Sequence, residues 1–104
     1  MTQANLLLIL HCHLPYVRHP EHDDFLEEDW FFEAVAETYV PLLLALERLE
    51  EDAVPFPLAL SVSPTLCEML ANPLLQRRLA RYLDRHVDLA EAEVRRTRAT
   101  PFAD

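Results

Sequence analysis

The sequence predicts an α/β fold with parallel strands and crossover helices, in the order β-α-β-α. Apolar runs at residues 6–10 and 58–62 have the length and continuity of strands covered on both faces. Each run is followed by apolar residues at helical spacing, and that alternation is the pattern of parallel sheets. The third observation is where the polar chemistry falls: directly after the first run, in His11-Cys12-His13-Leu14-Pro15-Tyr16.

The first strand runs out into that motif. Side chains alternate along a strand, so His11 and His13 share one face while Cys12 takes the other. Pro15 has no N–H to offer and stops the ladder. In α/β barrels and doubly wound sheets, chemistry collects at the carboxyl ends of strands, which makes the histidine pair the candidate site. Residues 16–28 read as a polar loop lying over it, with Arg18, His19, His22, Asp23 and Asp24.

A helix is expected from Asp29, a good N-cap, with Phe32, Val35, Ala36, Tyr39, Val40, Leu43 and Leu46 on its buried face. Pro41 predicts a kink or a fresh start within it, and Glu50-Glu51-Asp52 its end. After the Pro55-Phe56-Pro57 corner comes the second strand. Ser63-Pro64 then has N-cap and N1 chemistry for a short helix to Ala71, with a Thr65-to-Glu68 capping box as an alternative start. Asn72-Pro73 repeats the signal for a longer helix carrying Leu75, Leu79, Tyr82, Leu83, Val87, Ala90 and Val94 on one side.

The 104 residues correspond to one small domain, and 51% apolar content excludes a disordered chain. The sequence contains no glycine, although βα and αβ turns use it freely, and it stops at Pro101-Phe102-Ala103-Asp104 with no closing element. Both features read as the amino-terminal piece of a longer chain. A formal charge of −9 repels phosphate backbones and excludes nucleic acid as the expected partner. All nine basic residues are arginines, mostly between Arg77 and Arg98, where Asp84, Asp88, Glu91 and Glu93 alternate with them. That pattern predicts a solvated, ion-paired helix face.

Cys12 and Cys67 both sit in apolar surroundings and do not make a disulfide framework. The start Met1-Thr2-Gln3-Ala4-Asn5 lacks the positive segment of a secretory signal, and no run approaches a membrane span, so a cytoplasmic protein is expected.

Two chemistries are open to the histidine pair. As zinc or manganese ligands, His11 and His13 would need further ligands; Asp23 and Asp24 are the nearby carboxylate pair, and they read more simply as a solvated turn. As hydrogen-bonding groups, imidazoles with one donor and one acceptor suit sugar hydroxyls, and Tyr16 and Trp30 could add aromatic faces for a sugar ring. Spacing does not choose between them.

The wider sequence does. His11-Cys12-His13-Leu14-Pro15-Tyr16-Val17 resembles the first His-x-His-x-Pro region of glycoside hydrolase family 57, most closely of its 1,4-α-glucan branching enzymes. Trp30-Phe31-Phe32-Glu33-Ala34, Glu37-Thr38-Tyr39-Val40-Pro41-Leu42-Leu43 and Ser61-Val62-Ser63-Pro64-Thr65-Leu66 are similar to the segments that follow. The resemblance implies that residues 1–104 are the first βαβα part of an incomplete (β/α)7 barrel of the glycoside hydrolase/deacetylase superfamily. It implies an α-glucan substrate (amylose or glycogen), α-1,6 branch formation in glycogen synthesis, and no metal or other cofactor. His11 and His13 would line the donor sugar site, with Trp30 nearby. The family's glutamate nucleophile and aspartate acid/base would lie beyond Asp104, so no catalytic residue is assigned here. Glu33 and Glu68 read as surface or capping residues.

On this reading the isolated chain is inactive and aggregation-prone. A metal-dependent hydrolase of amidohydrolase or PHP type, whose first strand also ends in His-x-His, is the alternative enzyme. A standalone helical interaction module is a third reading, and it leaves the two strands unexplained.

Overall fold

Two five-residue strands, β1 (Leu8–Cys12) and β2 (Leu58–Val62), pair in parallel with Leu8 opposite Leu58 and His11 opposite Ser61. They are seen in a computed structural model that describes residues 4–100; the ends at residues 1–3 and 101–104, on which the leader and terminal readings partly rest, lie outside the described residues. Helix α1 (Leu26–Ala34), a π-helical turn (Val35–Tyr39) and α2 (Val40–Glu51) connect the strands. Helices α3 (Pro64–Ala71) and α4 (Pro73–Thr97) follow β2. The β-α-β-α order is therefore the observed one, with each predicted helical region divided in two.

Local chemistry explains the well-defined starts. Ser63 is extended and its hydroxyl accepts from Leu66 N–H, while Pro64 occupies the first turn, where a missing N–H costs nothing. Asn72 does the same for α4, accepting from Leu74 and Leu75 N–H ahead of Pro73. The Ser63 start, not the Thr65 capping box, is the one used; Thr65 donates its hydroxyl elsewhere, to Leu14 O.

Helix α2 ends in a Schellman turn, with Val54 N–H on Leu49 O and Ala53 N–H on Glu50 O. Ala53 takes the left-handed conformation there at φ 53°, in a chain with no glycine to place at that position.

Several expectations need correction. Strand β1 sits two residues later than the apolar run, because its register against β2 carries the ladder through His11 and Cys12. The strands are also not covered on both faces: Leu8, Ile9, Leu60 and Val62 are exposed. Helix α1 begins at Leu26 rather than at Asp29, from an extended Phe25 with no side-chain cap. The residue that would have been lost to the loop, Glu28, is instead buried.

The buried helix face also differs. Phe31, Phe32 and Val35 are buried, but Val40 and Leu43 are exposed, and the inward positions continue at Tyr39, Leu42, Leu46 and Leu49. Pro41 is the cause. Its ring conflicts with a carbonyl one turn back, and the chain widens the preceding turn so that Val40 N–H reaches Val35 O. The extra residue in that turn shifts the positions that follow, so that Val40 and Leu43 turn outward while Tyr39 and Leu46 keep the expected inward place. In α4, Leu75 and Tyr82 are buried, whereas Leu83, Val87 and Val94 are exposed. Cys67 is exposed as well, while Cys12 is half-buried, and both are free thiols.

The core lies between α1, α3 and α4, with Phe31, Leu66, Met69 and Leu75 fully buried and Phe32 against Tyr82 at 5.4 Å. Val17, placed in the polar loop by its neighbours in sequence, joins this core and donates its N–H to Met69 Sδ at 3.3 Å. The described helices include none long and apolar enough to cross a membrane.

Candidate functional site

The histidines at the end of β1 are fixed by the register of the strand pair. His11 lies opposite Ser61, and its Nδ1 is 3.1 Å from Ser61 Oγ. One residue past the strand, Ser63 N–H bonds Cys12 O, and this places Ser63 Oγ 3.0 Å from His13 Nδ1. The result is two matched His/Ser rungs. Alternation puts both imidazoles on one face, and their rings stack with centroids 6.0 Å apart and planes 9° from parallel. Both side chains are exposed, so each Nε2 is available to a ligand. Sequence reasoning found the histidines but missed Ser61, and saw Ser63 as a helix cap only. The spacing of Ser61 and Ser63 equals that of His11 and His13, a signal that becomes readable once the two strands are aligned.

Beneath the rungs, Ser63 Oγ is also 3.1 Å from Thr65 Oγ1 and 3.4 Å from Leu66 N, and Thr65 donates to Leu14 O at 3.0 Å. The second histidine is thereby tied to the first turn of α3 and to the chain just beyond β1.

The loop that follows β1 is held by a buried ion pair. Arg78 Nη1 of α4 lies 2.6 Å from both carboxylate oxygens of Glu28, with Glu28 1% and Arg78 8% exposed. Arg78 also donates to His19 O and His22 O, and Glu28 Oε1 accepts from His19 N–H. Burial without such partners would cost each charge several kcal/mol, on the order estimated for ions in a low-dielectric interior. Glu28 is thus a structural carboxylate with both oxygens engaged. The expectation of a purely solvated arginine face holds at Arg95 and Arg96, which pair with Glu91 and Glu93, but not at Arg78. Arg81 and Arg85 reach across to Asp24 instead of to acids of their own helix.

His19 sits on the same loop between two carboxylates, 3.1 Å from Glu21 and 3.0 Å from Glu27, with its ring 3.8 Å from that of Phe25. Burial pulls its pKa down, but the hydrogen bonds and charges of Glu21 and Glu27 outweigh it, and the imidazole stands above its ordinary value. Its own backbone N–H and His19 hold the Glu21 carboxyl below its ordinary range.

The remaining candidates stand apart. Trp30 lies on α1, 51% exposed, with no ring contact to either histidine among the described residues. Tyr16 is exposed beside the motif. Asp23 and Asp24 are engaged through Arg81 and Arg85 rather than with His11 or His13. Among the described residues no three His, Cys, Asp or Glu side chains converge as a metal site. What the arrangement offers is a pair of parallel imidazole edges, each backed by a hydroxyl, suited to hydrogen-bonding a polyhydroxylated ligand.

Comparison with known proteins gives the chain's family and fold. The family model described as Glycosyl hydrolase family 57 matches residues 7–103. A 1,4-alpha-glucan branching enzyme from Thermococcus kodakarensis is 38% identical over 90 residues, covering 86% of this chain and 13% of that protein. The crystal structure of the alpha-amylase AmyC from Thermotoga maritima superposes with a TM-score of 0.83 at 47% identity, over 91% of this chain and 18% of that one. The chain thus spans less than a fifth of the length of either relative.

Proposed function

The chain belongs to glycosyl hydrolase family 57, and from that premise we propose that residues 1–104 form the amino-terminal part of a (β/α)7 catalytic barrel in a cytoplasmic 1,4-α-glucan branching enzyme. The observation that carries the reading is the stacked His11–His13 pair at the carboxyl ends of paired parallel strands, where barrel enzymes bind their substrates. His11 and His13 hold hydroxyls of the donor glucan, and Trp30 supplies an aromatic face to a neighbouring sugar. The substrate class is an α-glucan, as the names of both relatives indicate for those proteins. Transfer rather than hydrolysis follows the branching-enzyme relative.

In this proposal the chemistry is a retaining double displacement. A glutamate carboxylate outside this chain attacks the anomeric carbon while an aspartic acid protonates the departing 4-oxygen. A 6-hydroxyl of a second glucan then attacks the glycosyl-enzyme ester, giving its proton to the same aspartate and releasing the glutamate. The part of this chain is to hold the donor sugar in register and to line a site from which water is excluded.

The test is the product formed from amylose by the full-length protein. New α-1,6 linkages, released by a debranching enzyme, with few new reducing ends are the expected outcome. Reducing ends without branches would overturn the transferase in favour of an amylase. His13→Ala and His11→Ala should each lower kcat/KM about tenfold, the worth of one hydrogen bond to substrate. Unchanged kinetics in both would overturn the site.

A further inference from the structure

The hydroxyl network behind His13 has only one arrangement in which every contact is a hydrogen bond. A serine or threonine hydroxyl has one proton to give and two lone pairs to receive with. Leu14 O can only accept, so the Thr65 proton goes to it across 3.0 Å. Thr65 Oγ1 then has only acceptor capacity left toward Ser63, and the 3.1 Å contact between them requires the Ser63 proton. Ser63 Oγ is left with two lone pairs. One takes Leu66 N–H at 3.4 Å and the other faces His13 Nδ1 at 3.0 Å, which must therefore carry a proton. In the opposite arrangement Ser63 donates to His13, and the Ser63 and Thr65 oxygens face one another with lone pairs only.

His11 has no such constraint. Its Nδ1 meets Ser61 Oγ at 3.1 Å, and Ser61 has no second side-chain partner among the described residues. Its hydroxyl can donate or accept, and the imidazole can take either tautomer.

We propose that Thr65 and Ser63 are positioning residues that hold neutral His13 with its proton on Nδ1, so that its exposed Nε2 is an obligatory acceptor and selects a ligand hydroxyl that donates. His11 is the adaptable partner, giving or receiving as the ligand requires. The pair thereby reads two hydroxyl groups asymmetrically, although the histidines look equivalent in sequence. The identity of the ligand as a glucan rests on the function proposed above, whereas the tautomer does not.

The experiment is long-range 1H–15N spectroscopy of the histidine-labelled full-length protein, at a pH where both imidazoles are neutral. His13 should show a protonated Nδ1 and an unprotonated Nε2, and His11 a mixture. Thr65→Val keeps the β-branched shape and removes the relay, so His13 should become a mixture, while Thr65→Ser should restore the wild-type spectrum. With maltooligosaccharide as probe, Thr65→Val should raise KM about threefold to tenfold, the worth of one hydrogen bond, with kcat little changed.

A wild-type His13 protonated on Nε2 overturns the proposal, and that result needs no variant to fold. So does a Thr65→Val spectrum identical to wild type. If the tautomer is as described but maltooligosaccharide does not bind, the glucan reading fails and the network assignment stands.

Discussion

At the carboxyl end of the strand pair, His11 with Ser61 and His13 with Ser63 are matched rung by rung, and the chain beyond them packs into a core where Leu66, Met69 and Leu75 are at most 1% exposed. At the amino end leucines stand in the open: Leu6, just before β1, is 91% and Leu8 53% exposed, and a trough lined by Leu10, Leu42, Leu46 and Leu58 runs beside them. Among the described residues Arg18 Nε is the buried side-chain polar atom left without a partner, whereas apolar surface is left open at many positions. Hydrogen bonds here are local to paired strands and a following turn. Burial of a sheet face needs a further layer, and two strands do not provide it.

The largest expected effect tests how the finished end is held. Glu28→Ala leaves Arg78 buried without its carboxylate and releases His19 N–H, and should destabilise the full-length protein by about 3–5 kcal/mol. Replacing both partners by methionine should recover much of that loss, since two uncharged side chains carry no desolvation penalty. Chemical denaturation measures both. A double variant as unstable as Glu28→Ala would show that the hydrogen bonds to His19 O and His22 O, not the ion pair, fix the loop.

The two ends should also respond differently to apolar substitutions. Leu66→Ala removes a fully buried side chain and should cost about 2–5 kcal/mol. Leu6→Asp with Leu8→Asp removes no core contact of comparable burial. In the 104-residue chain this pair should instead reduce self-association and dye binding, because contiguous exposed apolar surface drives both. Light scattering reads the change as a fall in mass toward 12.1 kDa. Self-association that is unaltered by the pair would move the sticky surface elsewhere, with the exposed Val87 and Val94 of α4 next to be tested.

What the sequence made legible divides along the same physical line. Starts encoded by adjacent residues, Ser63-Pro64 and Asn72-Pro73, were readable because cap and proline act within one turn. The start of α1 was not, because no side chain caps it and Glu28 finds its partner fifty residues away in Arg78. Val40 and Leu43 left the expected face of α2, while Leu46 kept it, because the π-turn before Pro41 adds a residue that a fixed period cannot anticipate. In the site, strand alternation was enough to place His11 and His13 together. Their serine partners required the parallel register, which is a property of two strands and not of either. Membership of the glycosyl hydrolase family displaces the amidohydrolase and PHP alternative that His-x-His alone had left open.

The smallest effect concerns the loop that leads from β1 to α1, where His19 is bracketed by Glu21 and Glu27 and stacks on Phe25, which His22 also faces at 5.0 Å. The folded-state pKa of His19 is raised above its ordinary 6.5, so its contribution is fully present below that value. It is lost as pH rises through the folded-state pKa, when the imidazolium gives up its proton. Glu21 has the opposite sense: lowered from its ordinary 4.5, it contributes above that value and fades as pH falls through its folded-state pKa. The loop should therefore be best ordered in the mildly acidic window between the two transitions and should loosen on either side. Glu21 is exposed, His19 is half-buried and the change is local, so amide hydrogen exchange over residues 19–24 is the suitable measurement, corrected for the intrinsic pH dependence of exchange. His19→Gln should flatten the alkaline limb and leave the acidic limb, which belongs to Glu21, reduced but present. An alkaline limb that persists unchanged in His19→Gln would overturn its assignment to this imidazole.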